Sequence, residues 1–136
     1  MTEEVLRDLA KEGLNAMNID IKGEAKFYRK CCGADAEVVW QNVKLAKELG
    51  VHVEITTLLI EGFNTEPAVI DGISKRLADE LGEYTSLHIT RAFPHYKSKK
   101  YGFNDPTPIA ALLRAYKIAR KNGLKFVYIK NLYSKF

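Results

Sequence analysis

Cysteine is scarce in this sequence. Its 136 residues include two cysteines, and these are neighbours, Cys31 and Cys32. Neighbouring cysteines rarely bridge each other because the geometry is strained, and one pair cannot build a disulfide framework. Their spacing fits neither a zinc site nor an iron–sulfur site. We therefore interpret them as small, half-buried residues near the start of a helix.

Long hydrophobic runs and a strong charge of one sign are also missing. No segment approaches the length of a membrane-spanning helix, and Met1 to Glu4 are acidic, unlike a signal peptide. We therefore expect a cytoplasmic protein. The net charge is only +4, and no RNA- or DNA-binding motif accompanies it. We interpret the basic residues as a solvated surface rather than a nucleic-acid interface.

The sequence does contain a regular alternation of helical and strand patterns. Its length fits a single domain, which we place at residues 1–136. Apolar spacing predicts helices over 2–13, 37–49, 65–81 and 107–123, with a short helical piece over 25–31. It predicts strands over 14–21, 51–60, 86–92 and 125–130. Thr2, Thr65 and Thr107 are the predicted N-caps, and Pro67 falls in a first helical turn.

These elements predict an α/β fold with parallel strands and helices on one face. Four such units make half of an eight-fold barrel, a (β/α)4 partial TIM barrel. The opposite strand face is polar, and we interpret it as the lumen of a barrel or half-barrel, with a partly solvated sheet face as the alternative. Its polar residues are Asn18, Asp20, Lys22, His52, Glu54, Thr56, His88 and Thr90.

Candidate ligand-binding residues lie toward the carboxyl ends of the strands, where parallel α/β folds bind ligands. Asp20 and Lys22 point the same way. We interpret them either as ligand-binding groups, for a ribose hydroxyl and a carboxylate, or as an ion pair with each other. Thr56 adds a hydroxyl from the second strand. Arg91 offers a fork for a carboxylate. His95 opens the long loop 93–107, either as a donor to adenine or ribose or as an exposed loop histidine.

A metal site is a further alternative. His52, Glu54 and His88 share the predicted polar face and carry the donor atoms of a metal-dependent hydrolase. However, His52 is at the amino end of its strand, away from the usual working edge. We therefore assign no metal-binding residue.

Five segments resemble, in order and spacing, the carboxyl-terminal portion of a radical S-adenosylmethionine enzyme. They are NIDIKG (18–23), FYRKCCGA (27–34), VEITTLLIEGFN (53–64), LHITRAFPHYK (87–97) and PTPIAALLRAYKIARKNGLKFVYIKN (106–131). The resemblance is to the radical proteins of the AmmeMemoRadiSam type, which are similar to pyruvate formate-lyase activating enzymes. It covers nearly the whole chain and implies a partial TIM barrel.

The resemblance also implies a cofactor and residue roles. In that family a reduced [4Fe–4S] cluster cleaves S-adenosylmethionine to a radical that takes a hydrogen atom from the substrate. The D-x-K strand end contributes to the cofactor site, which implies Asp20 and Lys22. The strand with TTL lines the same cavity, which implies Thr56. The stretch after the third strand implies Arg91 and His95.

The sequence departs from the family pattern in three places. Glu61 replaces the proline of the turn after the second strand. In many relatives a histidine follows an Arg-Phe pair, whereas here Ala92 separates Arg91 from Phe93 and His95 comes two residues after Phe93. The CxxxCxxC motif, whose three thiolates hold the cluster, is absent from the sequence.

We therefore hypothesise that the chain is the carboxyl-terminal half of such an enzyme. It would contribute part of the S-adenosylmethionine site but no [4Fe–4S] ligands, and it would be inactive alone. Two exposed strand edges and a polar lumen favour a partner. The partner is either a second copy, which gives a homodimer, or a separate amino-terminal half that bears the cluster. The alternative is a binding or assembly module without chemistry.

Overall fold

The structure, a computed structural model, describes residues 1–133 and contains a four-stranded sheet. Its strands are β1 (Ala16–Asp20), β2 (His52–Leu59), β3 (Ser86–Arg91) and β4 (Val127–Lys130). They lie in chain order, and every neighbouring pair is parallel. Parallel crossovers are right-handed, so connections that always step in one direction leave their helices on one face. The α/β half-barrel predicted from the sequence is confirmed.

Five α-helices accompany the strands within the described residues. They are α1 (Glu3–Lys11), α2 (Ala25–Phe27), α3 (Ala36–Glu48), α4 (Pro67–Leu81) and α5 (Ile109–Lys121). α2 continues as a π-helical turn over Tyr28–Cys32, and the loop before α5 contains a 3₁₀ turn over Ser98–Tyr101. None of the helices in residues 1–133 combines the length and hydrophobicity that crossing a membrane demands.

The core lies between the helices and one face of the sheet. Along β2, Ile55 and Leu59 are fully buried, whereas Glu54 and Thr56 on the opposite face are half-buried. Burying one such aliphatic side chain stabilises the fold by about 1.5–3 kcal/mol. A shift of the strand by one residue would move these side chains to the opposite face, so the alternation fixes the register. The large apolar side chains with almost no exposure are Leu6, Ile21, Ile55, Leu59, Ile70, Leu77, Leu87, Ile89, Leu112 and Leu124.

The helix N-termini confirm one predicted cap and correct two others. The Thr2 hydroxyl accepts a hydrogen bond from the Val5 N–H, as predicted. Glu66 rather than Thr65 holds the N-cap position of α4, with Pro67 as the first helical residue. Thr107 does not cap α5, because its hydroxyl donates to the Leu59 carbonyl at 2.6 Å instead. The hydrogen bond to the distant Leu59 carbonyl forms in place of a capping bond to the first turn of α5.

The cysteine pair also differs from the prediction. Cys31 and Cys32 are both exposed and unbridged, rather than half-buried. They lie in the π-helical turn after α2, where Tyr28 is the buried residue. The short turn presents one residue to the interior and leaves the rest of its side chains in solvent.

Candidate functional site

Three of the predicted ligand-binding residues meet at the carboxyl edge of β1 and β2. Asp20 pairs with Thr56 in the register of the two strands, and the Ile21 N–H donates to the Thr56 carbonyl at 2.9 Å. The Lys22 ammonium donates to the Asp20 carboxylate. The side chains of Asp20 and Lys22 remain 49% and 37% exposed, so this ion pair is weak and open to a ligand. We call Asp20, Lys22 and Thr56 the strand-end site.

The backbone of this site is held by Tyr28 and Thr57. The Tyr28 hydroxyl donates to the Asp20 carbonyl at 3.1 Å and accepts from the Lys22 N–H at 3.0 Å. The Thr57 hydroxyl donates to the Ile21 carbonyl at 2.8 Å. Burial raises the pKa of the Tyr28 phenol above its ordinary value, which keeps the donating proton in place.

Asn64 completes this support from the turn after β2. Its side-chain N–H groups donate to the carbonyls of Lys22 (2.7 Å) and Leu58 (2.8 Å), and its oxygen accepts from the Ile60 N–H at 2.7 Å. The residue is 1% exposed. One side chain therefore ties the end of β1 to the end of β2 and shapes the turn between them.

Sequence reasoning missed Tyr28 and Asn64 as parts of this site. The available signal was an asparagine just after a glycine turn, because asparagine side chains often bond to nearby backbone in such turns. Tyr28 left no comparable signal, since its two partners are contacts made only in the folded chain.

An open groove of about 520 Å³ lies beside Asn64. It separates the α2 region from the turn after β2 and the 3₁₀ turn, and lysine and aromatic side chains line it. Its lining includes Lys26, Phe27, Lys30, Phe63, Asn64 and Tyr101. The groove extends the accessible surface around the strand-end site.

Arg91 lies away from the strand-end site. It follows Ile89 on the helix-facing side of β3, and its guanidinium donates to the carbonyls of Thr107 (2.7 Å) and Leu132 (2.8 Å). The group also lies 4.9 Å from the centre of the Phe93 ring. These contacts anchor the loop between β3 and α5 and the segment after β4, so its predicted role toward a ligand stays a prediction.

His95 is exposed in that loop. Its backbone N–H donates to the Ser98 hydroxyl at 3.0 Å, and the Ser98 N–H returns a bond to the His95 carbonyl at 2.9 Å. This closes a turn at the start of the 3₁₀ segment. The structure does not bring His95 into contact with Asp20, Lys22 or Thr56, and its ligand role also stays a prediction.

The residues that could hold a metal or cluster do not converge. Within residues 1–133, no three His, Cys, Asp or Glu side chains are placed to bind one ion. His52 and His88 each direct a ring nitrogen toward Glu54, at 3.6 and 2.9 Å, and the shorter distance is that of a hydrogen bond. The alternative of a metal-dependent hydrolase gains no ligand set from these residues and stays a prediction. Two adjacent exposed thiols likewise do not fit a [4Fe–4S] cluster bound by three cysteines.

Comparisons with known proteins identify related chains. No protein-family model matches the sequence. The uncharacterized protein MJ0808 of Methanocaldococcus jannaschii is 44% identical over 119 residues, which are 88% of this chain and 35% of that protein. The chain thus spans about a third of that relative's length. A crystal structure of a domain of pyruvate-formate lyase-activating enzyme from Bacteroides vulgatus matches 94% of this chain and 74% of its own, with a TM-score of 0.74 and 18% identity. The chain has the fold of that domain.

Proposed function

We propose that this chain is the carboxyl-terminal half of a radical S-adenosylmethionine barrel and contributes part of the cofactor and substrate cavity. The observation that carries the proposal is the strand-end site, in which Asp20, Lys22 and Thr56 meet on a braced backbone at the carboxyl edge. Parallel α/β folds bind ligands at this edge. The fold shared with a domain of an activating enzyme supports the same assignment.

The chemistry of the strand-end site fits part of S-adenosylmethionine. The Lys22 ammonium suits a carboxylate, and the Asp20 carboxylate suits ribose hydroxyls or an ammonium group. Thr56 offers a hydroxyl that both donates and accepts. When bound, the cofactor supplies the 5′-deoxyadenosyl group that the resembled family uses. The residues of this chain bind and orient it, and they do not provide the cluster ligands.

Titration with S-adenosylmethionine tests this role. We expect saturable changes in the backbone amide NMR signals of Asp20, Lys22 and Thr56, with a Kd of about 1 mM because only part of the site is present. Lys22→Ala should weaken binding about tenfold, since it removes a hydrogen bond between charged groups. Lys121→Ala, which removes an exposed lysine at the end of α5, is the matched control. No change at the strand-end site, or an equal loss in both variants, would contradict the proposal.

We further propose that a partner completes the lumen, either a second copy of this chain or a separate half that bears the cluster. Within residues 1–133, β1 pairs with β2 alone and β4 with β3 alone, so each leaves an open edge. Val5 and Leu9 of α1, the helix before β1, and Phe126, the residue before β4, are exposed apolar residues. Open strand edges and exposed apolar groups both favour association.

Light scattering on the purified chain tests the partner. In the absence of another half, we expect a second copy to cover the open edges, which gives a dimer at about 100 μM, where even weak interfaces associate. Addition of a lysine at the exposed middle position of the edge strand β1, Asn18→Lys, should favour the monomer. Val38→Lys, at an exposed site on α3, is the control. A wild-type chain that stays monomeric at this concentration would contradict self-association.

A further inference from the structure

The groove beside Asn64 lies at the carboxyl edge of the sheet. Its walls are the α2 region, the turn after β2 and the 3₁₀ turn of the long loop. These segments follow the carboxyl ends of β1, β2 and β3, in that order. Parallel α/β folds bind ligands beyond this edge. The volume of about 520 Å³ lies within the range of about 300–1,000 Å³ that is typical of sites for small organic molecules.

Two contacts connect the groove to the strand-end site. The Phe27 ring, which lines the groove, meets the Tyr28 ring edge to face, with centroids 6.5 Å apart and planes inclined by 78°. The Tyr28 hydroxyl in turn bonds to the backbone of Asp20 and Lys22. Asn64 also lines the groove, and its side chain donates to the Lys22 carbonyl at 2.7 Å. A ligand in the groove would therefore lie next to the residues that hold the strand-end site in place.

Two lysines supply the positive charge of the groove. Lys26 of α2 and Lys30 of the π-helical turn both line it, and both are exposed. Neither forms an ion pair within residues 1–133. Like charges four residues apart on a helix repel each other, so an anion between them would relieve this repulsion.

Glu24 also lines the groove, but its carboxylate is placed toward α4. Glu24 Oε1 lies 3.7 Å from the position that a Cβ would take at Gly72. On that side Glu24 lines a separate hollow together with Arg76. The two lysines therefore keep their charge for a ligand in the groove.

Aromatic side chains supply the apolar surface of the groove. Phe27 and Phe63 are half-buried, and Tyr101 is 74% exposed, so each ring leaves part of its surface in water. They come from three different segments of the chain, α2, the turn after β2 and the 3₁₀ turn. A flat apolar group between them would remove this surface from water and stack against the rings.

We propose that the groove beside Asn64 binds an aromatic or heteroaromatic carboxylate. The ammonium groups of Lys26 and Lys30 would donate charge-assisted hydrogen bonds to the carboxylate, and the ring of the ligand would pack against Phe27, Phe63 and Tyr101. S-adenosylmethionine carries a net positive charge, so it would not compete for the two lysines. The assignment of this carboxylate to the substrate of the barrel rests on the proposed function, whereas the site itself does not.

Naphthoate and naphthamide are suitable probes because they have nearly the same shape and differ in charge. Titrated into the isotope-labelled chain at matched ionic strength, naphthoate should cause saturable shifts in the NMR signals of Phe27, Lys30, Phe63 and Tyr101. The neutral naphthamide should bind about tenfold more weakly, because it lacks the charge. Naphthamide binding as tight as that of naphthoate, or naphthoate shifts confined to residues outside the groove, would overturn the proposal.

A pair of double variants tests the lysines. Lys26→Gln with Lys30→Gln keeps long polar side chains but removes both charges, so naphthoate affinity should fall about tenfold while naphthamide affinity stays unchanged. Lys117→Gln with Lys121→Gln removes two exposed lysines at the same spacing on α5, and it is the matched control for net charge. An equal loss in both double variants, with the fold intact by circular dichroism, would overturn the proposal.

Two single variants test the remaining features of the site. Phe63→Leu stays apolar but removes a ring from the groove, so it should weaken naphthoate and naphthamide alike by about threefold. Lys22→Ala, in the strand-end site, should leave naphthoate affinity within about twofold of the wild type. A tenfold loss in Lys22→Ala would place the carboxylate at the strand-end site and overturn the proposal.

The outcome is distinguishable from that of the proposed function. Naphthoate reports on the groove, whereas S-adenosylmethionine reports on Asp20, Lys22 and Thr56. Naphthoate binding without S-adenosylmethionine binding would support the carboxylate site and contradict the cofactor role. The reverse result would support the cofactor role and overturn the carboxylate site.

Discussion

Replacing Asn64 by alanine should lower the free energy of unfolding by about 3 kcal/mol, because three buried hydrogen bonds are lost together. The change leaves the carbonyls of Lys22 and Leu58 and the N–H of Ile60 without their partner in the interior. Water cannot readily replace it, since the position is 1% exposed. Urea denaturation followed by the fluorescence of Trp40, the single and buried tryptophan, measures the loss.

Two further variants define the cause. Asn64→Asp keeps the size and can still accept from Ile60, but it cannot donate to either carbonyl, so it should be destabilised at neutral pH by a similar amount. Asn104→Ala changes an exposed asparagine of the long loop and should stay within about 0.5 kcal/mol of the wild type. An Asn64→Ala protein as stable as Asn104→Ala would show that the three hydrogen bonds do not support the strand ends.

The two-residue period of the strands explains what could be predicted from the sequence. It placed Asp20 and Thr56 on one face and Ile55 on the other, because burial of alternate side chains leaves little freedom in register. The parallel order of the strands then predicts which residues of adjacent strands lie side by side on that face. The meeting of Asp20, Lys22 and Thr56 could therefore be anticipated, and the ion pair between Asp20 and Lys22 is one of the two alternatives that the sequence offered.

Contacts between distant segments explain what could not be predicted. Thr107 has the side chain of an N-cap, yet Pro108 holds that position and the Thr107 hydroxyl donates to the carbonyl of Leu59, 48 residues earlier in the chain. Tyr28 lies in a short surface turn but reaches the backbone of β1. Local sequence carries a residue's own preferences and does not contain the partner that the fold brings to it.

Arg91 shows the same effect at a predicted ligand-binding residue. The alternation along β3 placed it on the side of Leu87 and Ile89, and the structure agrees. A guanidinium at a strand end suits a carboxylate, but it suits backbone carbonyls equally well when a loop and a following segment pass nearby. The chemistry of the group was predictable, and its partners depended on the path of residues 107 and 132.

Arg91→Met should lower the free energy of unfolding by about 3 kcal/mol, because it removes two hydrogen bonds from a charged donor and unpairs the carbonyl of the buried Thr107. Methionine keeps most of the apolar volume over Phe93, which isolates the loss of the polar contacts. Arg91→Lys should recover less than half of the loss, since an ammonium lacks the planar fork that reaches both carbonyls. Arg114→Met, at an exposed site on α5, is the control.

The same variant separates an anchoring role from a ligand-binding role. If Arg91 acts only through the loop, stability falls in urea denaturation, while the affinity of the folded protein for S-adenosylmethionine changes by less than about threefold. If the residue binds the cofactor, as the resemblance implies, affinity falls about tenfold while stability stays near that of the Arg114→Met control. Because the guanidinium already satisfies two carbonyls, we expect the first result.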